Sequence, residues 1–261
     1  MNTSLQDKRI LLTRPAHQSA GWQALLAEQG AHCDSIPMLE IAPVTPDNQT
    51  EAQSIKSLIL DFDQFEHAIF VSQNAVRWGF DWLENYWPQL PEGPRFYAIG
   101  AATADAIADR GALPERDEAR GSMDSEALLA LPALQHPEGA RVIVFRGQGG
   151  RTLIGDTLRE RGARVDYCEL YQRLLPADAA TQLRDYPHTP DAIVVHSGET
   201  LENLHQSLQQ SHRLTLLGVP LICPSARVAA QARTLGFTRV TAATNAGDTA
   251  MLTAMSEALA A

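Results

Sequence analysis

Short apolar runs rich in branched residues alternate along the chain with stretches whose apolar positions recur every three or four residues. This alternation predicts βα units feeding a parallel sheet covered on both faces. Strands are expected over 10–13, 68–72, 95–99, 142–145, 192–196 and 221–223, each leading into a helix. Ahead of Gly30, Trp22, Leu25 and Leu26 sit at i, i+3 and i+4, and Gly30 stands where a C-cap glycine belongs. Leu153, Thr157 and Leu158 run up to Gly162 in the same way. Proline and acidic residues mark surface connections at 43–53, 132–139 and 174–178, and the segments 61–63 and 115–118 read as solvated loops.

The pattern is written twice. Arg9-Ile-Leu-Leu-Thr-Arg14 returns as Arg141-Val-Ile-Val-Phe-Arg146, and at the same offset of 132 positions, from Arg9 to Arg141, Leu26, Gly30 and Asp34 return as Leu158, Gly162 and Asp166. Ala68-Ile-Phe-Val-Ser72 returns as Ala192-Ile-Val-Val-His196, and the block from Ile99 to Thr103 returns near Cys223-Pro-Ser-Ala-Arg227. So long a period means duplicated lobes, since solenoid repeats run to only about 20–50 residues. Two lobes imply a cleft between them, where small-molecule sites tend to lie. The connection at 132–139 is the simplest lobe boundary. The segments 36–44 and 168–175, however, both read as extended crossovers after an opening βα unit, and if they cross, each lobe borrows that unit from the other copy.

Composition narrows the function. A chain of 261 residues with 44% apolar content can fill two cores without an external staple. A net charge of −10 argues against a sequence-independent grip on nucleic acid. Cys33, Cys168 and Cys223 are odd in number and widely spaced, which fits neither a disulfide framework nor a zinc knuckle and suits a reducing cytoplasm. There is no run of about 18 apolar residues, so no membrane span is expected.

Candidate chemistry collects just beyond the expected strands, where ligands bind in such sheets. Found there are Arg14, Ser72 and Asn74, Gly100 and Thr103, Arg146-Gly147-Gln148-Gly149-Gly150-Arg151, His196-Ser197-Gly198, and Ser225 with Arg227. Hydroxyl residues, amides and glycines cap helices and leave N–H groups aimed outward, where the macrodipole draws anions. Each site alone reads as an ordinary N-cap; all together, repeated in both halves with arginines, they favour a polyanion. The Gly147–Gly150 cluster lets backbone approach a ligand closely, yet it matches neither G-x-G-x-x-G nor a P-loop. Tyr171 lies on a suspected crossover, where its phenol can either donate a proton or simply pack. His196 is left as a structural hydrogen-bonder, and Trp78, Trp82 and Trp87 as packing. Metalloenzyme and hydrolase motifs are absent.

Leu12-Thr-Arg-Pro15, Val71-Ser-Gln-Asn-Ala75, Ala98-Ile-Gly-Ala-Ala-Thr-Ala104, Ser125-Glu-Ala-Leu128, the block from Arg146 to Arg173, His196-Ser-Gly-Glu199 and Ser225-Ala-Arg-Val228 together resemble the uroporphyrinogen-III synthase family along the whole chain. The resemblance implies two flavodoxin-like α/β lobes with swapped opening βα units, residues 1–35 with 175–261 and residues 41–167, joined by a two-stranded linker of 36–40 and 168–174. It implies cyclisation of linear hydroxymethylbilane with inversion of the last pyrrole and loss of water, without cofactor or metal. Tyr171 would be the proton donor, and Arg14, Ser72, Asn74, Gly100, Thr103, Arg146, Gly147, Gly149, Gly150, Arg151, Ser197, Gly198, Ser225 and Arg227 would bind substrate. His196 stands where the family commonly has serine or threonine, and Ala226 where it often has a second hydroxyl. A monomer is implied, with room for transient contact with the preceding pathway enzyme. The competing reading is a non-catalytic two-lobed module that binds or senses anions.

Overall fold

The computed structural model describes residues 5–15, 18–44, 49–115 and 124–260. The chain forms two compact units, one of the residues up to Ile41 with those from Leu174 onward, the other Ala42–Arg173. The first unit opens with β1 (Arg9–Leu12), α1 (Ala20–Glu28) and β2 (His32–Ser35). Then follow β3 (Glu40–Pro43), α2 (Gln49–Leu60), β4 (His67–Phe70), α3 (Gln73–Tyr86), β5 (Arg95–Ala98), α4 (Ala101–Asp109), α5 (Ser125–Leu129), α6 (Pro132–Gln135), β6 (Arg141–Gly147), α7 (Leu153–Glu160) and β7 (Arg164–Leu174). The chain returns to complete the first unit with α8 (Ala179–Asp185), β8 (Ala192–Val194), α9 (Gly198–Gln210), β9 (Leu221–Cys223), α10 (Ala226–Thr234), β10 (Val240–Ala242) and α11 (Asp248–Ala260).

Each unit is built on a five-stranded sheet, ordered β10-β9-β8-β1-β2 in the first and β3-β7-β6-β4-β5 in the second. The sequence repeat reappears as register. Ile10 pairs with Cys33 on one side and Ala192 on the other, and at the equivalent place Val142 pairs with Val165 and His67, all in parallel. The central strands Ile10–Leu12, Ala68–Phe70, Val142–Phe145 and Ala192–Val194 are buried on both faces, which is why they read as continuous apolar runs without alternation. In the second unit Phe70 stacks on Phe145 at 4.4 Å between ring centres, and Phe62, Phe80 and Phe96 pack around them. Each such buried ring contributes about 1.5–3 kcal/mol. α3 reaches this cluster closely because Gly79 has no Cβ, which would lie 2.9 Å from the Phe70 ring.

Several connections differ from the sequence reading. Residues 132–139 hold α6, with Pro132 in its first turn and Leu134 fully buried in the second unit, so no boundary falls there. From Gln49 the connection at 43–53 is helix α2, and residues 45–48 and 116–118 lie outside the described residues. Phe62 is buried within the expected loop at 61–63. Ile36 and Met38 are buried in a core of the first unit, Cys168, Leu170 and Tyr171 lie on β7 in the sheet of the second, and the chain passes from one unit to the other after Ile41 and back at Leu174. The β2 strand, His-Cys-Asp-Ser, and the short β10 carry no apolar alternation and were not legible as strands.

Candidate active site

β6 outruns its counterpart β1, and the extra residues build the site. At its end the ladder with β7 slips: Arg146 faces Glu169 but Gly147 faces Tyr171, so Leu170 is the extra residue of a bulge. That irregularity makes Leu170 and Tyr171 both buried, where an even strand would turn one of them outward. It also lays the Tyr171 ring over Gly147, at which any Cβ would collide with the ring. Tyr171 also meets Trp78 at 5.0 Å between ring centres, so Trp78 packs on the site and not merely in the core. The phenol oxygen lies 2.9 Å from Ser72 Oγ, which also accepts the Ala75 N–H at 3.1 Å as the N-cap of α3.

The glycine turn that follows is wound around Arg146, which is 4% exposed. Its Nε donates to the Gly147 carbonyl at 3.1 Å and its Nη1 to the Arg151 carbonyl at 3.2 Å. The guanidinium stacks 4.6 Å over the Tyr167 ring with Glu169 at 3.6 Å, and a Cβ on Gly150 would come within 2.7 Å of Nη2. Gly149 takes φ +68°, a conformation that favours glycine. Arg146 therefore braces the turn from inside, with its Nε and Nη1 on backbone carbonyls, while it also lines the cavity at the end of the strand. Arg151, by contrast, is exposed.

These residues border a cavity of about 400 Å³ at the carboxyl ends of β4, β5 and β6. Val71, Ile99, Val144 and Ile154 give it an apolar wall, while Tyr171, Gln148, Arg151 and Arg173 supply polar groups. Such a mixture suits a ring system carrying acidic arms. Among the described residues no group of three or more His, Cys, Asp or Glu side chains is placed to hold a metal ion, and no helix is long and apolar enough to cross a membrane.

The remaining expected residues scatter. Gly147, Gly150 and Arg151 line the cavity; Gly149 sits at the tip of their turn, and Ser72 enters through its bond to Tyr171. Asn74 lies in the first turn of α3 outside the cavity wall, and Gly100, at φ +84°, starts α4. Thr103 is 4% exposed inside that helix, so its hydroxyl does not line the cavity. In the first unit Arg14 pairs with Asp248 at 3.3 Å. Ser197 and Ser225 act as N-caps, accepting from the N–H groups of Thr200 at 3.0 Å and Val228 at 3.4 Å. Gly198 opens α9 against the side chains of Gln231 and Arg227, and Arg227 is exposed. His196 contradicts its reading as a hydrogen-bonder: both ring nitrogens are buried without a partner among the described residues, as is Trp22 Nε1, whose ring it meets edge-on at 5.7 Å. Burial first, and the nearby Arg14 charge second, hold His196 down to a pKa of about 3, so it is neutral.

Sequence reasoning missed the Ser72–Tyr171 bond and the part played by Tyr167. A signal for the latter was Gly155, a glycine inside an otherwise regular helix, where a Cβ would strike the Tyr167 hydroxyl.

The sequence matches the family described as Uroporphyrinogen-III synthase HemD across residues 20–253. The chain belongs to the uroporphyrinogen-III synthase family. It is 34% identical to the Uroporphyrinogen-III synthase of Escherichia coli (strain K12), covering 94% of this chain and 99% of that protein. It is 33% identical to that of Salmonella typhimurium, with 94% and 99% covered. Among solved structures, a mutant uroporphyrinogen III synthase from the extremely thermophilic bacterium Thermus thermophilus matches with a TM-score of 0.59 at 18% identity, over 97% of this chain and 99% of that one. A uroporphyrinogen-III synthetase from Helicobacter pylori matches at 0.54 and 14%, over 94% and 97%. At those identities the structural likeness speaks for the shared α/β fold of the synthase family.

Proposed function

We propose that this protein cyclises linear hydroxymethylbilane to uroporphyrinogen III, inverting the last pyrrole and releasing water, and that the cavity of the second unit takes the hydroxymethyl end of the substrate. The observation that carries the reading is a phenol, Tyr171, held by Ser72 at the wall of a cavity with apolar and cationic sides, in a chain of the synthase family. The substrate bears an acetate and a propionate on each of its four pyrroles, so charge-assisted bonds dominate its binding. In a chain with net charge −10, positive potential has to be local, and Arg151 beside the glycine turn supplies it.

Chemistry then asks little of the protein beyond folding the substrate. Tyr171 gives its proton to the hydroxyl of the terminal hydroxymethyl group, the C–O bond breaks and water leaves. The electron-poor carbon left behind is attacked by the substituted carbon of the last ring, giving a spiro intermediate. The bond from the spiro carbon to its original methylene bridge then breaks, and the unsubstituted α carbon of the same ring forms a new bond to that bridge, which completes the inversion. The proton this carbon loses as the ring regains aromaticity returns to the phenolate. Orientation favours this attack over spontaneous closure by several kcal/mol, on the order expected for effective molarities. On this reading the chain works in the cytoplasm as a monomer and receives its unstable substrate from the preceding pathway enzyme.

The test is to supply hydroxymethylbilane and separate the oxidised products by isomer. The inverted isomer is expected, formed faster than spontaneous closure; only the uninverted one at the spontaneous rate would end the proposal. Tyr171→Phe is expected to slow turnover and leave KM largely unchanged.

A further inference from the structure

We infer that Ser72 is a positioning residue for the proton donor, presenting its own hydroxyl proton to the Tyr171 oxygen so that the phenol proton points into the cavity. The inference rests on the reading of Tyr171 given above and assigns Ser72 a part in the same step.

Ser72 Oγ is 2.9 Å from Tyr171 Oη and accepts the Ala75 N–H at 3.1 Å. With that lone pair engaged, the hydroxyl proton of Ser72 is available to the phenol oxygen. Two facts fix the pair. Ser72 is held in extended backbone, φ −167° and ψ 162°, by its place as N-cap of a 14-residue helix. Tyr171 has its ring packed over Gly147 on one side and against Trp78 at 5.0 Å between ring centres. The two arrangements of the hydrogen bond differ in consequence. If the phenol donates to Ser72, its proton is withheld from the substrate; if Ser72 donates, the phenol proton is free to go to the leaving hydroxyl. As the phenol O–H bond breaks, the charge appears on an oxygen that already accepts a hydrogen bond at the start of α3, where the helix dipole stabilises it. When the proton returns, the Ser72 bond weakens again and nothing is consumed.

The register of the repeat sharpens the point. Strand pairing sets Ile10 against Ala192 and Val142 against His67, so Ser72 corresponds to Ser197, which caps α9 in the same way but whose hydroxyl bonds the Thr200 hydroxyl and no phenol. A polar cap at this place is thus tied to a phenol only in the unit that has Tyr171.

The test compares Ser72→Thr, which keeps the hydroxyl, with Ser72→Gly, which removes it but leaves a glycine cap that costs only a few tenths of a kcal/mol in helix stability. Both are made in the parent and in Tyr171→Phe. Denaturant unfolding of each variant confirms that the fold is retained. In the parent background Ser72→Gly is expected to lower kcat about tenfold with KM nearly unmoved, and Ser72→Thr to recover most of that loss. In the Tyr171→Phe background Ser72→Gly is expected to add nothing, because the bond it breaks is already gone. Equal losses in both backgrounds, or a threonine variant no better than the glycine one, would overturn the assignment of Ser72 alone. A parent chain yielding only the uninverted isomer would instead refute the function, and an unchanged rate in Tyr171→Phe would remove Tyr171 and Ser72 from the step together.

Discussion

The two units share a register down to individual strand pairs and differ in what stands at the strand ends. Arg9 and Asp34 pair at 2.9 Å in the first; Arg141 and Asp166, their equivalents, lie 3.9 Å apart in the second. Beyond that scaffold the copies diverge. Gly147 corresponds to Pro15 and Tyr171 to Leu39, while Ser72 corresponds by strand pairing to Ser197, a cap that bonds the Thr200 hydroxyl where Ser72 bonds a phenol. Arg14 and Arg146 are the same residue in the same place, yet Arg14 makes a partly exposed pair with Asp248 while Arg146 is buried as the brace of a glycine turn. Duplication kept what the sheet requires and released what only a site requires. The second unit spent that freedom on a bulge, a glycine and a phenol.

The comparison breaks first at Gly147. Gly147→Ala puts a methyl group into the Tyr171 ring and forces the phenol to move by about 1 Å, and displacements of that size cost roughly 100-fold in rate. Pro15→Ala, at the equivalent place, is expected to change kcat by less than about threefold, because Pro15 belongs to the first unit and does not line the cavity that holds Tyr171. Steady-state formation of the inverted isomer by both variants decides it; equal losses would mean that the two turns do the same work.

The two arginines come next. Removing Arg146 strips two part-buried carbonyls of their donor and Tyr167 of its stacking partner, so Arg146→Ala is expected to lower unfolding stability by about 2 kcal/mol. Arg14→Ala loses one pair that faces solvent and is expected to cost at most about 1 kcal/mol. Urea unfolding midpoints of the two variants check this. If Arg146→Ala raised KM and left stability alone, the residue would be a substrate ligand after all.

How far the sequence carries this difference is itself instructive. The offset between Arg9 and Arg141 anticipated the pairing of β1 with β2 and of β6 with β7, because strand pairing in a buried parallel sheet is fixed by apolar runs that the sequence displays openly. The repeat that set Ala68 against Ala192, by contrast, is one residue out, Ala192 matching His67 in the sheets. The glycines at Gly147 and Gly150 pointed to the right turn for a related reason, close approach, although what approaches is Tyr171 and Arg146 as well as any ligand. The bulge at Leu170 left no trace, since an extra residue in a strand changes pairing and not composition. Thr103, named for its hydroxyl, is swallowed by α4, because a helical position three residues from its cap can face inward as readily as outward. Polar residue type marks a strand end; only packing decides which way each side chain turns.

His196 offers a pH test of the same contrast. Its pKa in the folded chain, about 3, lies below the ordinary histidine value of 6.5. Below pH 6.5 the unfolded chain takes up a proton that the native chain refuses, so the contribution of His196 to stability is present above that pH and is lost as pH falls toward 3. Between pH values of about 7.5 and about 5 the parent is expected to lose about 1–2 kcal/mol more than His196→Asn does, as read from denaturant midpoints at the two values. Val71, which holds the equivalent place in the second unit by strand pairing, has no such titration. Parallel pH slopes for parent and variant would show that His196 is solvated or partnered in solution, and that the first unit carries no buried neutral imidazole.

The smallest expected effect concerns the caps. Ser197 and Ser225 both open helices of the first unit, but Ser197 Oγ accepts from the Thr200 N–H at 3.0 Å and shares a 2.8 Å bond with the Thr200 hydroxyl, whereas Ser225 Oγ accepts from Val228 at 3.4 Å. Bond strength falls with that lengthening, so Ser197→Ala is expected to cost about 1 kcal/mol of stability and Ser225→Ala about half of it. Neither oxygen is bonded to a phenol, as Ser72 is, and neither substitution is expected to lower kcat beyond what the lost stability explains. A tenfold fall in kcat for Ser197→Ala at full folding would give the first unit a part in the proton-transfer step and erase the contrast between the copies, because a cap that merely starts a helix has no means of distinguishing the reacting state from the bound one.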